Sequence, residues 1–163
     1  MNQAFLVADE ILAKAISGLV FTIKQPSLVN IDFADVRAIM GGGDVGFISV
    51  GSGKGQNKVD DAVKGVLENR LLDVDFDGAK GAILHIAGGS DLTLGEAISA
   101  GERITDKMSA SASVKWGARI VQDYDGKLEI CAIVTGVKSP NIAGRAFEQP
   151  KKKSQFDDIE IVG

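Results

Sequence analysis

The sequence predicts an α+β fold: a two-layer sandwich whose four-stranded mixed sheet carries two main helices on one face, preceded by a long N-terminal helix. Three observations lead there. Between positions 3 and 24, apolar residues recur every three to four places, which is the period of a helix. Four later segments, 45–51, 79–87, 114–121 and 128–137, have the length and apolar content of strands. Two stretches of helical period, 57–69 and 93–108, are interleaved with them, as expected where helices pack on a sheet.

The first helix has Phe5, Ala8, Leu12, Ala15, Ile16 and Leu19 as its stripe, widened by Leu6, Val7 and Ile11. A helix apolar over more than one face needs partners on more than one face. Pro26 ends it. A loop then runs into a short helix that stops near Gly41. Asn57 with Asp60 has capping-box spacing for the helix through about Asn69, whose inner face is Val59, Ala62, Val63, Val66 and Leu67. Thr93 with Glu96 caps the next helix, buried through Ala97, Ile98, Gly101, Ile104, Thr105 and Met108. In 114–121, Val114, Trp116, Ala118 and Ile120 alternate with Lys115, Gly117, Arg119 and Val121, so one face is covered. Asp123 to Gly126 reads as a short hairpin connection to an antiparallel return over 128–137. Residues 145–163, with Lys151, Lys152 and Lys153 followed by sparse apolar positions, read as a tail.

Composition narrows the function. The chain has 163 residues, 45% hydrophobic and 25% charged, which suits one domain with appendages. Eighteen basic against 22 acidic residues leave a net charge of −4, without the basic footprint of a nucleic-acid binder. A single cysteine, Cys131, excludes a disulfide framework, and a single histidine, His85, excludes a His-rich metal site. Both sit in apolar strands and read as core residues. No apolar run reaches the ~18 residues of a membrane span, and no secretory signal opens the sequence, so a cytoplasmic protein is expected.

Several motifs fail on context. Of 20 glycines, the clusters at 41–43, 51–55 and 88–89 read as turn punctuation. Gly41, Gly43 and Gly46 match a dinucleotide fingerprint, but they follow a helix and open a strand, the reverse of what a pyrophosphate needs. Gly53-Lys54 lacks the first glycine and the Ser or Thr of a phosphate loop, having Ile48 and Gly55 there. Asp73, Asp75, Asp77 and Gly78 fit the first half of a calcium loop, yet Leu84 stands at the position of the bidentate glutamate. No Ser/His/Asp or Cys/His pairing can be assembled.

The segment Asn30-Ile31-Asp32-Phe33-Ala34-Asp35-Val36-Arg37 stands out. Helix capping accounts for both acids: Asp32 as N-cap and Asp35 at the third helical position, beside the positive helix end. It does not account for Asn30. This segment resembles the catalytic loop of the FtsZ family, the prokaryotic relatives of tubulin. The likeness continues through Val7-Ala8-Asp9-Glu10-Ile11-Leu12, similar to the family's central helix, and through Gly51-Ser52-Gly53, Leu71 to Ala79, Asp91 to Glu96, Trp116-Gly117-Ala118 and Val134 to Val137. The wording is closest to archaeal members. It implies a division into a central helix (1–25), a tubulin-type C-terminal domain (26–140) including the catalytic loop 26–37, and a flexible C-terminal tail (141–163). The family's GTP-binding half, expected ahead of the helix, is not in this sequence. Gly55-Gln56-Asn57-Lys58 also departs from the family's usual acidic pattern there.

The resemblance implies a GTPase whose active site is completed between subunits of a cell-division filament, inactive in this portion alone. GTP and Mg²⁺ would be held mainly by the neighbouring subunit's nucleotide domain, with no metal site within this chain. Asp35 would orient the attacking water, Asp32 would help place water or cation, and Asn30 would contact the nucleotide or the loop. Arg37 would pair with a local acid. The implied partners are other FtsZ subunits and a membrane-tether protein reached through Phe156, Ile159 and Ile161 or Val162, with the protein in the cytoplasm at the division site. The apolar helix 3–24 would drive self-association of this portion. The competing readings are an independent α+β ligand-binding or regulatory module and, more weakly, a calcium-binding domain resting on 73–78.

Overall fold

The computed structural model describes residues 2–24, 27–41, 46–68 and 76–137. Helix α1 (Asn2–Lys24) leads into a loop and α2 (Phe33–Met40). Strand β1 (Gly46–Lys54), a 3₁₀ turn (Gly55–Asn57) and α3 (Lys58–Leu67) follow. Then come β2 (Gly81–Gly88), α4 (Leu94–Thr105), β3 (Ser113–Ile120) and β4 (Lys127–Thr135). The four strands form one mixed sheet in the order β1-β4-β2-β3, with β4 antiparallel to both neighbours and β2 parallel to β3. The expected fold class holds. The tail 141–163 and the acids Asp73 and Asp75 lie outside the described residues.

Strand placement follows burial. All eight residues of β2 are buried, and β4 is buried continuously from Ile130 to Val134, so these two take the centre. Strand β3, with Lys115 exposed and Arg119 half-buried, takes an edge. The expected hairpin between the last two strands is therefore not formed. Residues 121–126 carry the chain across the end of β2, so that β4 pairs with β1 and β2 and never with β3. Val121 N–H donates to the Gly88 carbonyl at 2.8 Å, and Asp125 Oδ1 accepts from Ser90 N–H and Oγ at 2.8 and 2.9 Å. Those bonds fix the crossing.

Each sheet face has its own apolar cluster. Helices α3 and α4 cover the larger one, built on Ala82, Leu84, Ile86, Leu128, Ile130 and Val134 with Val66 and Ile104. On the opposite face α1 and α2 cover a smaller one, Ile31, Val36, Ile39, Ile83 and Ile133 with Ile23. Helix α1 touches the sheet with one side only: Leu6, Leu12, Ile16 and Val20 are 43–65% exposed. The side chains of Phe5 and Leu19 from the expected stripe lie outside the described residues.

Two expectations about glycine and capping are corrected. Gly51 and Gly53 lie inside β1, not in a turn. A Cβ on Gly51 would run into the Ala62 carbonyl oxygen and approach Val66 N to 2.7 Å; one on Gly65 would meet Gly51 Cα at 2.9 Å. Helix α3 thus rests backbone-to-backbone on β1, and glycine is there because no side chain fits. Asn57 makes no side-chain cap bond to α3, which begins instead from the 3₁₀ turn. The Thr93–Glu96 box on α4 is complete in both directions.

Three buried polar groups sit in this frame. Ser49 Oγ donates to the Val66 carbonyl at 2.8 Å, tying β1 to α3. Lys58 Nζ reaches Asp91 at 2.5 Å and Glu96 at 3.2 Å, while Asp91 Oδ1 accepts from Gly126 N–H at 3.1 Å. The hydrogen bond from Lys58 leads in holding the Asp91 carboxyl below its usual range, and that same bond leads in raising Lys58. One buried cation therefore joins the starts of α3 and α4 to the β3–β4 turn. His85 on β2 lies under α1 where Gly18 passes; a Cβ there would meet the imidazole at 2.6 Å. Burial, and then the charge of Arg119, push His85 down to about 4. Burial first and Glu129 second push the Cys131 thiol up to about 12, so it is an inert packing group.

Two outcomes follow for stability. Gly51→Ala should cost about 1–3 kcal/mol or more from overpacking, whereas Gly95→Ala, with nothing within 4 Å, should be neutral or stabilising by up to about 1 kcal/mol. Urea unfolding of both variants measures this. A histidine whose folded pKa is depressed binds its proton more readily when unfolded, so its contribution is full above pH 6.5 and lost as pH falls through about 4. Across that window the urea midpoint should rise with pH, by the equivalent of about 3 kcal/mol. His85→Leu should flatten that slope, and an unchanged slope in the variant would contradict the assignment.

Candidate functional site

The loop before α2 is shaped by alternation. Val29 forms a one-residue antiparallel bridge to Ala118 of β3, with N–H donating to O at 3.2 Å and accepting the reciprocal bond at 3.1 Å. Two residues on, Ile31 is 3% exposed and enters the smaller core. With 29 and 31 held inward, extended backbone turns 30 and 32 outward. Asn30 and Asp32 are both exposed. Asn30 Oδ1 accepts from Ser27 N–H at 3.1 Å, which closes the loop on itself.

Asp32 is the N-cap of α2, with extended dihedrals (φ −82°, ψ 143°) and a side chain accepting from Ala34 N–H at 3.2 Å. Its carbonyl accepts from Asp35 and Val36 N–H. The capping reading of Asp32 is therefore satisfied in part by geometry. Asp35 does not reach back to complete a box. Its carboxylate instead faces Lys115 Nζ of β3 at 3.1 Å, with the two side chains 36% and 45% exposed. Both acids lie at the positive, N-terminal end of α2. Arg37 is exposed and forms no ion pair among the described residues.

Lys115 is the member that sequence reasoning missed. It was legible only as one of the solvated residues alternating along β3, because its partner is 80 positions away in sequence and is brought near by the Val29–Ala118 bridge. Next to it, the Arg119 guanidinium stacks over the Phe21 ring of α1 at 4.8 Å, and its buried Nε has no hydrogen-bond partner among the described residues. Ala118 and Arg119 thus hold the loop and the end of α1 on one short stretch of strand.

Chemically, the cluster is a set of oxygen donors on the outside of the domain. Asn30, Asp32 and Asp35 all reach solvent, and ionised carboxylates accept hydrogen bonds and suit hard cations such as Mg²⁺. Among the described residues no group of three His, Cys, Asp or Glu side chains is arranged to hold a metal by itself. Leu84, the residue that a calcium loop would need as a ligand, is fully buried in β2. The cavities of about 330 and 290 Å³ lie against α3 and α4, on the far face of the sheet from the loop. The arrangement can present acids to a bound group but cannot enclose one. No helix of the described residues is long and apolar enough to cross a membrane.

Comparison with known proteins places these features. The family described as the FtsZ family, C-terminal domain, matches residues 44–138. Cell division protein FtsZ 2 of Methanocaldococcus jannaschii is 53% identical over 148 residues, covering 89% of this chain and 39% of the relative. An FtsZ mutant from M. jannaschii superposes with a TM-score of 0.77 at 38% identity, covering 84% of this chain and 41% of that one. An empty FtsZ dimer from the same organism also gives 0.77, at 34% identity, covering 93% of this chain and 47% of its own. The chain thus spans about two fifths of the length of the curated relatives it matches.

Proposed function

The chain belongs to the FtsZ family of cell-division proteins and carries its C-terminal domain, and from that premise we propose that its 27–35 segment completes a GTP site belonging to a neighbouring subunit. One observation carries the reading. Val29 and Ile31 are anchored, Asn30 and Asp32 are exposed, and Asp35 stays accessible to solvent beside Lys115. An acid cluster that is rigidly held yet open suits a site whose other half arrives on another molecule.

The chemistry follows from the residue types. Hydrolysis of a triphosphate needs a water held in line with the terminal phosphorus. Asp35, held at the start of α2, orients that water and draws on its proton; a carboxylate can do both because it only accepts. Asp32 places the water or the cation while its other interaction caps the helix. Asn30, able to donate and accept, contacts the nucleotide edge or steadies the loop. Mg²⁺, carried with the nucleotide, would supply charge neutralisation, without which two carboxylates and a triphosphate repel. Lys115 holds Asp35 on the strand surface until the neighbour docks. Arg37, exposed on α2, plays a supporting part in the loop.

Splitting a site between molecules makes hydrolysis depend on assembly, which suits a filament of the division ring in the cytoplasm. The likeness to an FtsZ dimer supports self-association of subunits, which on this reading is the longitudinal filament contact. The exposed Leu6, Leu12, Ile16 and Val20 of α1 support burial against a further folded unit, or self-association where that unit is missing. A membrane tether reached through the tail at Phe156, Ile159 and Ile161 or Val162 remains part of this proposal.

In the complete protein, Asp35→Ala should lower GTP turnover by about 10²–10⁴-fold while changing domain stability little, because an exposed ion pair contributes about 0–1 kcal/mol. Asp32→Ala should lose the cap as well, about 1 kcal/mol. Turnover assays paired with urea unfolding separate the two, and undiminished turnover in Asp35→Ala would overturn the proposal. Excess 1–163 chain added to the complete protein should also bind the nucleotide-bearing filament end and stop growth, read by sedimentation.

A further inference from the structure

The open edge of the sheet offers a second surface. Even-numbered residues of β3 turn their backbone groups away from β2. Ala118 uses its pair on Val29, but Val114 and Trp116 have no backbone partner on that side among the described residues. Beside this edge, Ile98, Gly101, Thr105, Val114 and Trp116 line a groove of about 290 Å³ between α4 and β3. Gly101 leaves it open, since a Cβ there would meet only Leu84, at 3.8 Å. Trp116 is half-buried and Ile98 is 41% exposed. An unpaired edge next to an apolar groove takes an added strand whose alternate side chains fill the groove.

We propose that the occupant is this chain's own terminal segment, 156–162, with Ile159-Glu160-Ile161 adding to β3 opposite Val114-Lys115-Trp116. Three observations single it out. The last described residue, Val137, follows β4 at the end of the sheet where Thr135 faces Gly81, and Gly81 faces Ser113 at the start of β3. That start is two strand spacings away, about 10 Å, while residues 138–158 can span several times that distance at ~3.3 Å each. The sequence has period-two alternation, isoleucine at 159 and 161 about an acid at 160. With both isoleucines in the groove, Glu160 falls on the opposite face, where Lys115 projects toward Asp35. An ammonium has three donors and serves both carboxylates. Tethering adds an effective concentration in the millimolar range.

Trp116 is the sole tryptophan of the chain, so its fluorescence reads the groove directly. In the 1–163 chain, Ile159→Asp with Ile161→Asp should raise acrylamide quenching of Trp116 about twofold or more, with the far-UV spectrum unchanged. A synthetic 154–163 peptide added to that variant should restore protection saturably, and a scrambled peptide should not. Lys115→Glu should weaken peptide protection, and Glu160→Lys in the peptide should recover it. Equal quenching in parent and variant, or no response to the peptide, overturns the proposal. So does protection that grows with protein concentration, which would assign the groove to a second copy. None of these readouts depends on nucleotide, so they succeed or fail independently of the loop-donation reading.

Discussion

Two hydrogen bonds between Val29 and Ala118 constrain everything that follows at this site. They fasten the segment after α1 to a strand on the edge of the sheet, and Ile31 then drops into the smaller core. Between two fixed points the backbone has no freedom to choose which residues face outward, and Asn30 and Asp32 are the result. The start of α2 is fixed by the same two anchors, which puts Asp35 beside Lys115. A loop tip with this little slack holds its acids in place before any partner arrives, so little ordering entropy is left to be lost on docking.

The remainder of the domain supports that edge strand. Among the strands of the sheet β3 pairs with β2, and β2 owes its central position to full burial on both faces. Helix α3 can lie flush on β1 because Gly51, Gly53 and Gly65 leave no side chains between the two backbones. At the far end, Lys58 ties together the loops that begin α3 and α4 and the turn into β4. Removing these carboxylates would leave the buried Lys58 ammonium poorly paired. The loop is thus borne by an ordered frame, with packing and polar ties on opposite faces.

Much of this was legible in the sequence. The 3.6-residue period of α1, the Thr93–Glu96 box and the strand segments carry local signals strong enough to place each element within a few residues. Asp32 as a cap could be read from one octapeptide, whereas interest in Asn30, Asp32 and Asp35 as a set came from the family resemblance. What could not be read is pairing across distance. Asp123 to Gly126 has the composition of a hairpin turn, yet the choice between β3–β4 and β2–β4 pairing is made by burial of whole strands, which no turn encodes. Lys58 looks like a solvated helix start until Asp91 arrives from 33 residues away. Gly51 and Gly53 look like turn residues because close approach of another helix leaves no mark except the missing side chain. Lys115 belongs to the same class.

The most direct test of loop donation is complementation. On the proposed reading, a full-length FtsZ protein carrying Asp35→Ala would keep a nucleotide-binding half but lack the acid, which the 1–163 chain would supply. Mixing the two and measuring GTP turnover against added chain should restore hydrolysis in proportion to chain bound, and the same chain carrying Asp35→Ala should restore none. Turnover that stays at the variant's level while the 1–163 chain is demonstrably bound would contradict the account.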